Sequence, residues 1–131
     1  MEDIIQLKVF IRNSKALIWR RLRVRKETSL FELHHIIQIA FGWQNYHAYE
    51  FEHHGYVFSE PEFAMLEGNE KLIDSRSTSL ESILVDTREV LRYTYDFGDN
   101  WIHHIVVERF LKPNTKLDYP YCMSGKNASP P

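Results

Sequence analysis

The chain has little of the chemistry that most readily announces a function. Its 131 residues contain one cysteine, Cys122, so no intrachain disulfide can form and no thiolate zinc site can be built within one chain. Cys122 lies in a Pro-rich stretch with no adjacent helix N-terminus, which leaves thiolate activation without a sequence basis. There is no signal peptide and no apolar run of the ~20 residues that a spanning helix needs, so no membrane partner is expected and the cytoplasm is the expected compartment. No serine stands in a Gly-x-Ser-x-Gly elbow, and neither a His-Glu-x-x-His nor a Cys-x-x-Cys spacing occurs. The net charge of −2 gives no overall signature of a polyanion binder.

What is present is an ordinary globular composition with 44% apolar residues and an unusual share of aromatics, 14%, concentrated between Phe41 and Phe63 and between Tyr93 and Trp101. The length suits one domain with a real core. The charge is unevenly distributed. Residues 1–27 carry eight Lys/Arg against three Asp/Glu, whereas residues 28–131 carry eight against fifteen. Either the two segments meet and neutralise each other in the fold, or the first presents a basic stripe to an anionic partner.

Periodicity supplies the elements. Ile4–Ile11 and Leu17–Val24 read as a β-hairpin. Period two in the second arm puts Ile18, Arg20, Leu22 and Val24 on one face, and Leu17, Trp19, Arg21 and Arg23 on the other. The first set looks like a core face, and its arginine calls for a carboxylate, since an unpaired buried guanidinium costs on the order of 3–5 kcal/mol. Ser29 and Glu32 have capping-box spacing, Gly42 is a C-terminal stop, and Leu30, Leu33, Ile36, Ile37, Ala40 and Phe41 form an apolar stripe. His34, His35 and Gln38 fall on the polar side of this helix. His47–His53 and Tyr56–Phe58 read as short strands joined at His54-Gly55, and residues 59–77 as a long loop. Thr78 and Glu81 predict a second capping box before a short helical turn at Leu80–Leu84. Glu89–Tyr95 and Trp101–Phe110 are the remaining strands. The predicted fold is a single α+β domain over residues 1–112, ubiquitin-like β-grasp in element order with an added C-terminal strand, followed by an irregular tail at 113–131.

The segment Thr94-Tyr-Asp-Phe-Gly-Asp-Asn-Trp-Ile-His-His-Ile105 concentrates most of the candidate chemistry. Its Asp-Phe-Gly is shared with the magnesium motif of protein kinases, but the chain has no glycine-rich loop, strand lysine or catalytic loop to go with it. Gly98, Asp96, Asp99 and Asn100 are good turn residues, so a hairpin between two β-rich runs accounts for them first. Asp96 or Asp99 is also the expected carboxylate for Arg20 or Arg21.

The motifs Ile18-Trp-Arg-Arg21, Leu33-His-His-Ile-Ile-Gln-Ile-Ala-Phe-Gly-Trp43, Tyr93-Thr-Tyr-Asp-Phe-Gly-Asp-Asn-Trp101 with His103, and Tyr119-Pro-Tyr-Cys122 together resemble the plasmid pRi ORF-three-like family. The resemblance runs from about Ile5 to Pro131 and implies a plasmid- or insertion-sequence-associated protein without an assigned activity. Ser129 stands where the family commonly has a second cysteine, so a cysteine-cluster role is not carried over.

These readings converge on a binding or accessory module, with an enzyme the lesser alternative. Its expected surface or pocket comprises Trp19, Arg20, Arg21, His47, Tyr95, Asp96, Asp99, Trp101 and His103. Nucleic acid is the candidate partner, met by a stripe of Arg12, Lys15, Trp19, Arg21, Arg23, Arg25 and Lys26 in which Trp19 shares a face with Arg21 and Arg23, suiting base stacking beside phosphate contacts. One alternative is a small metal-dependent enzyme using the Asp/His groups of the 96–103 hairpin, with His47, His53, His103 and Asp96 or Asp99 as a ligand-like set. Another is a purely structural Arg/Asp/Trp lock. No cofactor is expected.

Overall fold

The computed structural model describes residues 2–12, 17–45, 47–63, 72–96 and 101–127. Eight strands form one continuous mixed sheet: β1 (Ile4–Ile11), β2 (Trp19–Arg25), β3 (Tyr49–His53), β4 (Tyr56–Ser59), β5 (Ile73–Asp74), β6 (Val90–Tyr95), β7 (Trp101–Leu111) and β8 (Tyr121–Lys126). Their order across the sheet is β5-β4-β3-β6-β7-β1-β2-β8. Every pairing is antiparallel except β4 with β5. Among the described residues, helix occurs as α1 (Leu30–Phe41), a 3-10 turn at Ser75–Ser77 and the single turn α2 (Leu80–Ile83), and also at 61–63.

This architecture corrects the α+β, β-grasp expectation. Two features widen the sheet beyond what the element order suggests. The β6–β7 hairpin enters as a unit between β3 and β1, so that the long β7 runs antiparallel to β1 along its whole length. The stretch expected to be irregular contributes β8, which pairs with β2. The 59–77 loop likewise contains the two residues of β5 and the 3-10 turn.

Alternation sorts the strands into two faces. Ile5, Leu7, Val9 and Ile11 of β1 align in register with Val24, Leu22 and Arg20 of β2, and with Val107, Ile105 and His103 of β7. Leu91, Tyr93 and Tyr95 continue this face onto β6, and Tyr49 and Phe51 onto β3. Leu30, Leu33, Ile37 and Phe41 of α1 and Leu80 and Leu84 at α2 complete the same buried cluster, so both helices cover this face. Each fully buried Leu or Ile here contributes about 1.5–3 kcal/mol relative to an exposed one.

The caps of α1 form as its sequence dictates. Ser29 Oγ accepts from the Glu32 amide at 3.0 Å while the Ser29 amide donates to Glu32 Oε1 at 3.1 Å. Gly42, at φ 73°, closes the other end in the left-handed conformation that costs glycine nothing. The second capping box does not form. Ser79 is the N-cap of α2 and makes no side-chain cap, while Thr78 Oγ1 donates to Asp74 O. The free amides of α2 are instead taken up by the main chain before α1: Leu80 donates to Thr28 O and Glu81 to Lys26 O.

Candidate functional site

Of the nine residues expected to converge, those on the strands divide between the two faces of the sheet. Arg20, Tyr95, Trp101 and His103 belong to the helix-covered face, whereas Trp19 and Arg21 project from the other. His47 and Asp96 meet at the end of β6, with His47 Nε2 3.5 Å from Asp96 Oδ2 and the His47 ring edge-on to Tyr95 at 5.8 Å. Asp96 has φ 60° and its amide donates to Ala48 O, which suits a strand end entering a turn. Asp99 and Lys15 lie outside the described residues.

Among the described residues the arginines find partners other than Asp96. Arg20 donates from Nε to Ala40 O at 3.0 Å and from Nη1 to Trp19 O at 2.8 Å and Lys126 O at 3.3 Å, and it lies over the Phe41 ring. Backbone carbonyls, the dipole-rich end of α1 among them, therefore satisfy the core-face guanidinium. Arg21 forms a forked pair with Glu108, Nε to Oε1 at 2.7 Å and Nη2 to Oε2 at 3.1 Å. The hydrogen bond to Glu108 is the main cause of the raised Arg21 pKa, and the same bond holds the Glu108 carboxyl below its usual range. Among the described residues, ion pairs join neither arginine to Asp96.

Under α1 lies a closed polar network that periodicity assigned to solvent. His34 and Gln38 are buried. Asn45 Oδ1, 2.6 Å from His34 Nε2, can only accept, so Nε2 carries the proton. His34 Nδ1 then accepts from Tyr93 O–H at 2.6 Å, and Tyr93 accepts from Gln38 Nε2 at 3.0 Å. Gln38 Oε1 accepts from the Asn45 amide, which closes the ring. Tyr49 stacks on His34 at 3.6 Å. Burial is the main reason that the His34 pKa falls to about 4.

His103 is equally enclosed, with Phe41, Trp43 and Tyr93 presenting edges to its ring at 5.0–5.3 Å. Its Nδ1 faces the carbonyls of Trp101 at 3.0 Å and Tyr93 at 3.3 Å and must be the N–H. Nε2 is then a buried acceptor with no donor among the described residues, which costs about 1–3 kcal/mol. Burial brings its pKa to about 4. Among the described residues, which leave out Asp99, the ligand-like set of His47, His53 and His103 with Asp96 does not assemble: His53 instead bonds Glu89 at 3.1 Å, and His103 faces carbonyls and rings.

The other face of the sheet carries the basic residues. Trp19, half-buried, has Lys8 Nζ 4.8 Å and the Arg21 guanidinium 5.1 Å from its ring centre. Phe10 is in register with Trp19 on β2 and with His104 on β7, and its ring meets His104 edge-on at 5.6 Å. Arg92 stands opposite His104 on β6, and Arg23 donates to Gln6 Oε1 at 3.0 Å. The His104 pKa is lowered, first by burial and then by the positive charges of Arg12 and Arg92. Among the described residues no carboxylate lies within ion-pairing distance of Arg12, Arg23 or Arg92. Of the expected stripe, Arg25 lies over Tyr119, while Lys26 is drawn off to Asp3 at 3.2 Å and Glu81 at 3.7 Å. Sequence reasoning missed Lys8, Phe10, Arg92 and His104. For Lys8 and Phe10 the signal was there, in the alternation of β1 against its apolar set.

Comparison with known proteins places the chain. It is 34% identical over 130 residues to the uncharacterized protein y4hQ of Sinorhizobium fredii (strain NBRC 101917 / NGR234), covering 98% of this chain and 65% of that protein. The chain thus spans about two thirds of the length of this relative. The crystal structure of the protein of unknown function MM3350 from Methanosarcina mazei Go1 superposes with a TM-score of 0.85 at 29% identity, over 98% of this chain and 71% of that one. No helix among the described residues is long and apolar enough to cross a membrane. The Plasmid pRiA4b ORF-3-like profile matches residues 3–131, and the chain belongs to that family.

Proposed function

We propose that the protein is a binding module for single-stranded nucleic acid, which lies across β2, β1, β7 and β6 on the face opposite the helices. One observation carries this reading: Trp19 has two cations, Lys8 and Arg21, against its ring on the face opposite α1 and α2, next to Phe10 and His104. Aromatic rings on a sheet give sequence-tolerant stacking platforms worth about 1–3 kcal/mol per base, and unpaired arginines beside them suit phosphates. Arg12, Arg23 and Arg92 have no carboxylate at ion-pairing distance among the described residues, and after burial the charges of Arg12 and Arg92 add to the lowering of the His104 pKa. Glu50 and Glu52 on β3 share this face, with Glu52 opposite Arg92, and would confine a polyanion to the β1–β2 side. The acidic segments that give the chain its slightly negative net charge do not remove this local field. An accessory role on mobile DNA, which the family resemblance implies, fits a sequence-tolerant surface of this kind.

Fluorescence anisotropy with labelled single-stranded oligonucleotides at low salt tests the reading. Binding should weaken as salt rises, with a log–log slope of about −2 for three phosphate contacts. Trp19→Ala should weaken it by about 1–3 kcal/mol, roughly 5- to 150-fold. No binding at low salt, or binding indifferent to Trp19→Ala, would overturn it.

A further inference from the structure

The turn between β3 and β4 holds a cluster that the proposed nucleic-acid face does not use. Adjacent residues in a strand point to opposite faces, so a His-His pair ordinarily offers one side chain to a common centre. His53-His54 escapes that rule because only His53 is in the strand. His54 has φ 50° and Gly55 φ 83°, the two left-handed residues of a type I′ hairpin turn, and histidine tolerates this conformation better than most side chains. The turn folds the His54 ring back onto His53, edge to face at 4.1 Å.

Both imidazoles then meet one carboxylate. Glu89 Oε1 lies 3.1 Å from His53 Nε2 and 3.6 Å from His54 Nε2. The other oxygen, Oε2, accepts from the amides of Val85 at 2.7 Å and Asp86 at 2.8 Å, which fixes the orientation of the group. Burial alone would raise the Glu89 carboxyl, but these amides and the two imidazoles outweigh it and hold it ionised below its usual range.

We infer that His53, His54 and Glu89 form a binding site for a zinc-class divalent transition metal. Two donors about 2.1 Å from a tetrahedral zinc stand about 3.4 Å apart, so the nitrogen–oxygen separations already match two edges of such a polyhedron. A nitrogen–nitrogen–oxygen donor set is the chemistry that zinc, cobalt and nickel accept. The backbone amides on Oε2 are the kind of outer contact that keeps a ligating carboxylate aimed at its metal. His54 is mostly exposed, which leaves an entry path and room for water as the remaining ligand. Bound metal would tie the β3–β4 turn to the 85–89 segment ahead of β6.

Titration of the full, untagged chain with cobalt(II), read by its visible absorption, and with zinc(II), read by calorimetry, tests the site. One equivalent should bind, and zinc should raise the melting temperature. His54→Ala and Glu89→Gln should each weaken binding at least about tenfold. His54→Ala, at an exposed turn position, is the variant expected to fold normally, and zinc should no longer raise its melting temperature. His35→Ala, on α1, should bind like the parent. Absence of binding by the parent, or equal binding by parent and His54→Ala, would overturn the assignment.

Discussion

His34 and His103 are both enclosed in neutral form, the first with every polar atom partnered and the second with one left bare among the described residues. Their pKa values of about 4 lie below the ordinary 6.5, so between those values the unfolded chain binds protons that the folded one refuses. Stability should therefore be level above about pH 6.5 and fall on acidification, by about 1.4 kcal/mol per pH unit for each histidine until pH approaches 4. His53 and His104, also lowered, act with the same sign, and the lowered Glu89 and Glu108 extend the loss into the carboxylate range. Urea midpoints measured from neutral to mildly acidic pH check this, and His103→Leu should remove roughly half of the slope that the pair contributes. A flat profile across that window would contradict the assigned neutral states. None of this was legible in the sequence. Helical periodicity put His34 and Gln38 on the polar side because it knows nothing of Tyr93, a strand residue more than fifty positions later that completes their bonds. Arg20 was legible by half: period two placed it on the core face, but its partners are carbonyls, and a carbonyl leaves no trace in residue type.

At the scale of the element, α1 was the most legible part of the chain, because a capping box and a terminal glycine are local signals. Ser29→Ala should cost about 1 kcal/mol in equilibrium unfolding, the usual loss for an N-cap, and an unchanged midpoint would show that the cap contributes nothing. Strand β8 was the least legible. Its Tyr-Cys-Met-Ser-Gly-Lys has neither alternation nor β-branched residues, and pairing with β2 alone organises it. There the glycine has a steric reason: a Cβ on Gly125 would stand 2.7 Å from Arg20 Cδ and 3.0 Å from Trp19 O. Gly125→Ala should therefore push Arg20 off its carbonyls and cost about 1–3 kcal/mol, measured by denaturant unfolding. If the variant is as stable as the parent, the Arg20 side chain is not held as described.

For the whole molecule, the strands were mostly in the sequence and their assembly was not. Pattern places residues on faces but says nothing of which strand lies beside which, and here the β6–β7 hairpin and β8 turn a compact order of elements into an eight-stranded sheet. The charge asymmetry is met in part within the fold. Part of the basic segment is neutralised by later acids, as in Arg21 with Glu108 and Lys26 with Glu81, while Arg12 and Arg23, on the same face as Trp19, have no carboxylate at ion-pairing distance among the described residues. The sheet thereby gains one face filled by helices and one face of rings and cations, and the central claim is that the second face binds a single strand. Amide chemical-shift mapping by NMR during titration with oligothymidylate tests it most directly. The account expects perturbations at Lys8, Phe10, Arg12, Trp19, Arg23, Arg92 and His104, with α1 unaffected. Shifts confined to α1 and the core-face residues, or no shifts at low salt, would contradict it.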